Sequence, residues 1–389
     1  MLPEPILQHI LSFVEVKDAI RTSVLSKILN NAFATLQCLN FGDGSIFPVA
    51  KRNENEKVVF LKISELLNAV ESMILRRQEQ NVGVQRFCLR LSHSFKLLDL
   101  TSYIARLMKA LIACNIKKLV FKVGTYHCRP WYTLPEALYA CNSLSTLELG
   151  GFKLEWPPNG GTIKLSSLRE LRLYKAHVDD QLLEHLIMSC PELEFLRVDY
   201  CFGFYCLQIL GLLKLKEIST YNCCEEFNKI KIQAPNLEYL SHHGLGRLSV
   251  VDVTSCRSLR LFLPKELREN LWPPLYDIKH LTVIPYDGVN KSMVLDLLDS
   301  LLWMAPCLDT LSLFLSCHDK TIKFTHETSV SDEGVPCCTS VPFKCWRHTL
   351  KKVKFENFED VEDQWKLKNY FVGNAKVLES IDGLTECDT

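Results

Sequence analysis

Cysteine and histidine crowd one stretch of the chain. Cys317-His318, Cys337-Cys338 and Cys345-x-x-His348 offer soft ligands of the kind that zinc takes. Common zinc modules present their thiols as Cys-x-x-Cys knuckles, and that spacing is missing, so no metal is expected. Cys223-Cys224 and His242-His243 are adjacent pairs. On a strand, adjacent side chains face opposite ways, which suits neither a disulfide nor shared ligation of a metal. The signatures of dinucleotide binding, phosphate binding, a nucleophile elbow and a metalloprotease helix are all missing. Gly160-Gly161-Thr162, after Pro157-Pro158, is read as a loop. No catalytic residue and no cofactor is expected. The basic run Lys351-Lys352-x-Lys354 is answered by Glu356, Glu359, Asp360, Glu362 and Asp363, which describes a neutralised surface and not a nucleic-acid patch.

The totals point the same way. Lys plus Arg and Asp plus Glu are 45 each, so no net field draws nucleic acid or an anionic membrane, and a protein partner is the default. Hydrophobic residues at 47% and charged residues at 23% describe a chain that folds. No apolar run approaches the roughly 20 residues that span a bilayer, and Glu4 and Pro5 stand where a secretory leader has basic and then apolar residues. A location in cytoplasm or nucleus is expected. There, the 17 cysteines serve as small buried hydrophobes and not as disulfides.

The elements that must position any functional residue form a repeat. Val58 to Arg77 reads as a helix, Val84 to Leu91 as a strand and Tyr103 to Cys114 as a helix. Then a unit recurs in which a small residue precedes Leu-x-x-Leu-x-Leu. Ala113 leads to Ile116, Leu119 and Phe121; Cys141 to Leu144, Leu147 and Leu149; Cys190 to Leu193, Leu196 and Val198; Ala305 to Leu308, Leu311 and Leu313. Leu168, Leu171 and Leu173 repeat the core without the small residue, and Ala234 with Leu237 and Cys256 with Leu259 begin weaker copies. Leu144, Leu168 and Leu193 keep a period inside the roughly 20–29 residues of leucine-rich repeats. The expected fold is α/β, a leucine-rich-repeat solenoid in which each strand is followed by a returning helix such as Asp180 to Ser189. Its exposed strand positions, Thr146, Glu148, Glu170, Arg172, Arg197 and Asp199, are the candidates for contact with a target protein.

Before the array, apolar residues at 2, 6, 7, 10, 11, 13 and 14 mark one face of a helix opened by Pro3 and Pro5, a face that asks for burial. A second helix is expected from Lys17 to Leu25 and a third from Ser26 through Phe33 and Leu36. Leu2-Pro3-x-x-Ile6-Leu7-x-x-Ile10-Leu11-Ser12-Phe13, with Lys17-Asp18-Ala19 and Arg21 to Lys27, resembles the F-box of plant F-box proteins. Leu350 to Val353 and Asn374 to Glu379 resemble the FBD domain that follows leucine-rich repeats in many members of that family, and Val84 to Phe87 resembles its strand between linker and repeats.

The resemblance implies an all-α F-box at 1–41, a linker at 42–57, the array at 58–316, a polar loop at 317–342 and an FBD-like cap at 343–389. It further implies a non-catalytic adaptor of a cullin-type (SCF) ubiquitin ligase. Leu2, Pro3, Ile6, Ile10, Val24 and Leu25 would dock a Skp-type adaptor, and through it a cullin, while the repeats hold a target for ubiquitination. The alternative is a leucine-rich scaffold whose F-box no longer joins a ligase, since Ile28 to Asn31 replace the family's usual basic residue and Trp.

Overall fold

The computed structural model describes residues 2–14, 16–42, 56–91, 101–124, 132–157, 161–224, 227, 229–243, 250–254, 258–263, 278–285, 302, 305–314, 345–356 and 361–383. The expected linker lies outside these residues except at its ends, and the polar loop at 317–342, Gly160, Cys256 and Asn357 to Asp360 lie wholly outside. The chain divides into two compact units, Met1–Leu193 with Arg197–Gly203, and Glu194–Leu196 with Phe204–Thr389.

The first unit opens with α1 (Glu4–Leu11), α2 (Val16–Ser23) and α3 (Lys27–Ala34). Pro3 and Pro5 sit at the start of α1, where a missing N–H costs nothing. Ser26 Oγ accepts the Leu29 N–H at 3.2 Å and caps α3. Both α1 and α2 pack on α3. There follow β1 (Cys38–Gly42), α4 (Glu56–Glu79), β2 (Arg86–Leu91), α5 (Thr101–Ala113) and β3 (Lys118–Val123). Next come β4 (Tyr132–Thr133), α6 (Glu136–Tyr139), β5 (Thr146–Gly150), β6 (Phe152–Lys153), β7 (Glu170–Tyr174), α7 (Asp180–Met188) and β8 (Phe195–Asp199), the last divided between the units.

Strands β1, β2, β3, β5 and β7 lie side by side in that order, each pair parallel. Register puts Phe87, Leu119, Leu147 and Leu171 in one row and Leu89, Phe121, Leu149 and Leu173 in the next, and all eight are buried. Burial of such side chains contributes about 1.5–3 kcal/mol each, and no strand can supply it alone.

A turn precedes the strands of several repeat copies, and the small residue, where a copy has one, supplies its accepting carbonyl. The N–H of the first leucine donates to the carbonyl three residues earlier, Leu144 to Cys141 at 3.4 Å and Leu193 to Cys190 at 3.0 Å. Leu168 does the same to Leu165 at 3.0 Å in the copy that lacks the small residue. The copy at Ala113 departs from expectation. Ala113 is exposed, Cys114 is the buried residue, and the Ile116 N–H reaches the Leu111 carbonyl at 3.4 Å. There the helix α5 runs directly into the turn, which shifts the inward position by one residue.

Arg77 ties the three-helix segment to α4. Its buried guanidinium donates to the carbonyls of Phe33 at 3.0 Å and Leu36 at 2.5 Å, at and just beyond the end of α3, where the Phe33 carbonyl also accepts the Leu36 N–H at 3.2 Å. Burial holds its pKa below the usual arginine value, yet a guanidinium keeps its charge. Arg77→Leu removes both bonds and leaves the Leu36 carbonyl without its guanidinium donor. It is expected to cost about 2–4 kcal/mol in urea denaturation and to strip α3 of hydrogen-exchange protection.

The second unit contains β9 (Cys206–Leu210), β10 (Glu217–Tyr221), β11 (Lys229–Gln233), β12 (Tyr239–His243), β13 (Val250–Thr254) and β14 (Ser258–Leu263). It continues with β15 (His280–Pro285), β16 (Thr310–Phe314), β17 (Lys352–Glu356), α8 (Val361–Asn374) and β18 (Ser380–Asp382). Strands β10, β12, β14, β15, β16, β17 and β18 follow one another in a parallel sheet. The returning segments differ from the expected helices. Strands β9, β11 and β13 form a second parallel sheet with β11 in the middle. Lys229-Ile230-Lys231-Ile232-Gln233 shows why: alternation with β-branched residues buries Ile230 and Ile232 and exposes both lysines, a period of two that a helix cannot satisfy.

Cys223 and Cys224 follow β10 and do not lie on it. They are free thiols that donate to the Tyr221 carbonyl at 3.9 Å and the Phe204 carbonyl at 3.3 Å. Cys88, Cys114, Cys141, Cys190, Cys201, Cys223 and Cys345 are buried free thiols, and burial pushes Cys190 up to about 12. Burial also raises the Cys88 and Cys114 thiols, which makes them poor nucleophiles at neutral pH. Cys345 Sγ lies 3.6 Å from His348 Nδ1, while the other residues of the soft-ligand stretch lie outside the described residues.

The last segment is organised by Trp346. A short turn, Trp346–His348, buries the indole, which stacks on Tyr370 of α8 at 6.1 Å. Thr349 Oγ1 donates to the Pro306 carbonyl at 2.8 Å. After β18, Gly383 adopts φ +81°, and a Cβ there would meet the Phe355 carbonyl oxygen at 2.0 Å, so only glycine fits.

Candidate functional site

The expected apolar face of α1 is present and bare. Leu11 is buried and Leu7 half-buried, and they hold the helix to its neighbours. Leu2, Ile6 and Ile10, spaced by four residues, share the opposite face and are 52%, 45% and 48% exposed. Pro3 is exposed beside them. Val24 and Leu25, in the turn between α2 and α3, are 82% and 76% exposed. Phe13 of the same apolar set and Ile20, neither among the expected docking residues, are exposed as well, Phe13 edge-on to His9 at 4.8 Å. Among the described residues nothing covers this face, and exposed large apolar groups gathered in one short segment mark a binding surface.

Polar bonds fix the frame beneath this face. Gln8 Nε2 donates to Thr35 Oγ1 at 2.7 Å, and Thr35 Oγ1 donates to Glu4 Oε1 at 3.0 Å, which locks α1 to the end of α3. The arrangement offers an apolar surface on a fixed frame, which suits binding.

The second candidate surface is the strand face of the first unit. Thr146, Glu148 and Glu170 are half-buried there, and Arg172 and Arg197 are exposed. They are occupied with one another. Lys122 Nζ sits 2.5 Å from Glu148, Arg172 is paired with Glu170, and Thr146 Oγ1 donates to Glu170 at 3.4 Å. Asp199 departs from its expected exposure: it is buried, and its Oδ2 accepts from Arg197 Nε at 2.6 Å. Burial raises the Asp199 carboxyl above the usual aspartate range, while the Arg197 guanidinium pulls it back down. Asp199 thus positions Arg197 and is not open to a target. Tyr174 and Tyr200 meet edge-on at 5.6 Å, with Lys122 Nζ 5.4 Å from the Tyr174 ring. Opposite charges two apart on one strand, as in Glu170 with Arg172 and Arg197 with Asp199, were the sequence signal for this self-pairing.

Comparison with known proteins gives these surfaces a class. The F-box domain model matches residues 1–40, the model described as "FBD-associated F-box protein At5g56370, LRR repeats" matches 104–268, and the FBD model matches 339–381. The chain is thus an F-box protein with leucine-rich repeats and an FBD. It is 28% identical over 331 residues to the Arabidopsis thaliana "Putative F-box/FBD/LRR-repeat protein At4g13965", covering 82% of this chain and 72% of that one. It is 31% identical over 201 residues to "F-box/FBD/LRR-repeat protein At1g13570" of the same plant, covering 51% of this chain and 43% of the relative. A third, "F-box/FBD/LRR-repeat protein At1g78750", is 27% identical over 263 residues, 65% of this chain and 54% of the relative. The match therefore spans about half the length of the second and third. With all three domain models in that order, the chain belongs to the F-box/FBD/leucine-rich-repeat family.

An F-box implies binding to a Skp-type adaptor, and an F-box joined to leucine-rich repeats is in general the make-up of an SCF-type substrate adaptor. Such proteins are typically non-catalytic, and none of the three matched models is that of an enzyme. Among the described residues no helix is long and apolar enough to cross a membrane.

Proposed function

We propose that the chain is a substrate-recognition subunit of a cullin-type ubiquitin ligase. Leu2, Pro3, Ile6, Ile10, Val24 and Leu25 dock a Skp-type adaptor and, through it, a cullin. The parallel leucine-rich strands, residues 58–316, are read as stretches of a repeat solenoid whose exposed strand positions hold a target protein, closed by the FBD-like segment 343–389. The protein contributes proximity alone: it raises the effective concentration of target and charged conjugating enzyme, and the bond chemistry belongs to other subunits. A cytosolic or nuclear location belongs to the same proposal.

The observation that carries this reading is the exposure of the α1 face and of Val24 and Leu25 on an otherwise well-packed three-helix frame. The test is co-expression of the full chain with a plant Skp-type adaptor. A stable complex that recruits the amino-terminal half of a cullin is expected. Elution of the chain free of the adaptor at micromolar concentration contradicts the proposal.

A further inference from the structure

Charge on the strand face of the first unit is not evenly spent. On β2 and β3 the outward positions are Arg86, Cys88 and Arg90, and Lys118, Val120 and Lys122, paired in register as Arg86 with Lys118, Cys88 with Val120 and Arg90 with Lys122. Lys122 is half-buried and tied to Glu148. Arg86, Arg90 and Lys118 are exposed, and among the described residues none of the three has a side-chain ion pair or hydrogen bond. No carboxylate stands on β1, β2 or β3. Cys88 and Val120, between the cations, are buried, so the patch has an apolar floor.

We infer that this patch, Arg86, Arg90 and Lys118 with Lys122 at its edge, receives a short acidic peptide segment of the target. The inference rests on the strand face being the target surface, as proposed above. Arg86 and Arg90 stand about 13 Å apart along β2, and adjacent strands lie about 4.8 Å apart. An extended peptide with carboxylates on alternate residues presents them about 6.8 Å apart on one side, which lets two or three of them reach the cations. Charge complementarity favours a short acidic stretch over nucleic acid. The patch ends at β5 and β7, where Glu148 and Glu170 face the same way, so a continuous polyphosphate would run into carboxylates.

The test uses the purified full chain without other ligase subunits, so its outcome is independent of adaptor docking. The probe is a fluorescein-labelled peptide alternating glutamate and glycine, read by anisotropy, against its glutamine counterpart and a single-stranded oligonucleotide. The acidic peptide is expected to bind at least about tenfold more tightly than the glutamine peptide, and the preference should fall as salt rises. Arg86→Glu with Arg90→Glu is expected to weaken it about tenfold or more, and the milder Arg86→Gln with Arg90→Gln about threefold. The control Lys229→Glu with Lys231→Glu makes the same charge change on exposed residues of β11 and should stay within about twofold. Thermal melts establish that each variant is folded. Equal weakening by the control, equal binding of the glutamine peptide, or tighter binding of the oligonucleotide overturns the inference.

Discussion

Ile10→Asp and Val24→Asp, each in the full chain, are expected to leave the protein folded and to abolish its association with a Skp-type adaptor. Both side chains are about half or more exposed, so aspartate meets water in the free protein and the melting temperature should hold to within about 1 °C. In the proposed docked complex the same side chains would be buried. Removing either forfeits about 1.5–3 kcal/mol of apolar burial, and seating an unpaired carboxylate against an apolar partner adds several more. The sum corresponds to a loss of affinity above about a hundredfold, visible as loss of co-elution. Leu11→Asp is the informative contrast, because Leu11 is buried against the rest of the frame and its replacement should unfold the helical segment itself.

The second large effect concerns Trp346, whose indole is fully buried in the FBD segment, stacked on Tyr370 and flanked by the Arg347 guanidinium 5.7 Å from its ring. Trp346→Ala leaves a cavity beneath α8 and is expected to cost about 3–5 kcal/mol, measured by chemical denaturation. Trp346→Phe should cost only about 1 kcal/mol. Among the described residues the buried indole Nε1 has no hydrogen-bond partner, so the lost volume is partly offset by removal of an unsatisfied donor. A phenylalanine variant as damaged as the alanine one would mean that the indole N–H matters after all.

Much of the strand framework was legible because leucines two apart on a short segment admit one placement. Leu147 and Leu149, Leu171 and Leu173, and Leu311 and Leu313 all face inward on parallel strands where the repeat put them. The second sheet of β9, β11 and β13 was not foreseen, although Lys229 to Gln233 alternates plainly. A repeat learned from copies with a returning helix, such as α7, carries that helix to copies whose return segments are strands. Periodicity showed that α1 has an apolar face, but the identity of what covers it came from the resemblance alone. Thr146, Glu148, Glu170, Arg172 and Arg197 stand on outward strand positions, but how they pair was not legible. Pairing of Glu148 with Lys122 and burial of Asp199 depend on side chains that meet across strands and at strand ends, and single-strand alternation does not encode them. Arg86, Arg90 and Lys118 were readable as outward positions of their strands. What alternation along one strand does not encode is that β1, β2 and β3 set no carboxylate beside these cations.

Titration calorimetry of the full chain with a plant Skp-type adaptor tests the central claim most directly. If the bare face of α1 with Val24 and Leu25 is the docking surface, binding is expected with a dissociation constant below about 1 µM and a clearly negative heat-capacity change, the mark of apolar burial. Ile10→Asp should erase both. Absence of binding up to about 100 µM, or binding that Ile10→Asp leaves unchanged, would contradict the account.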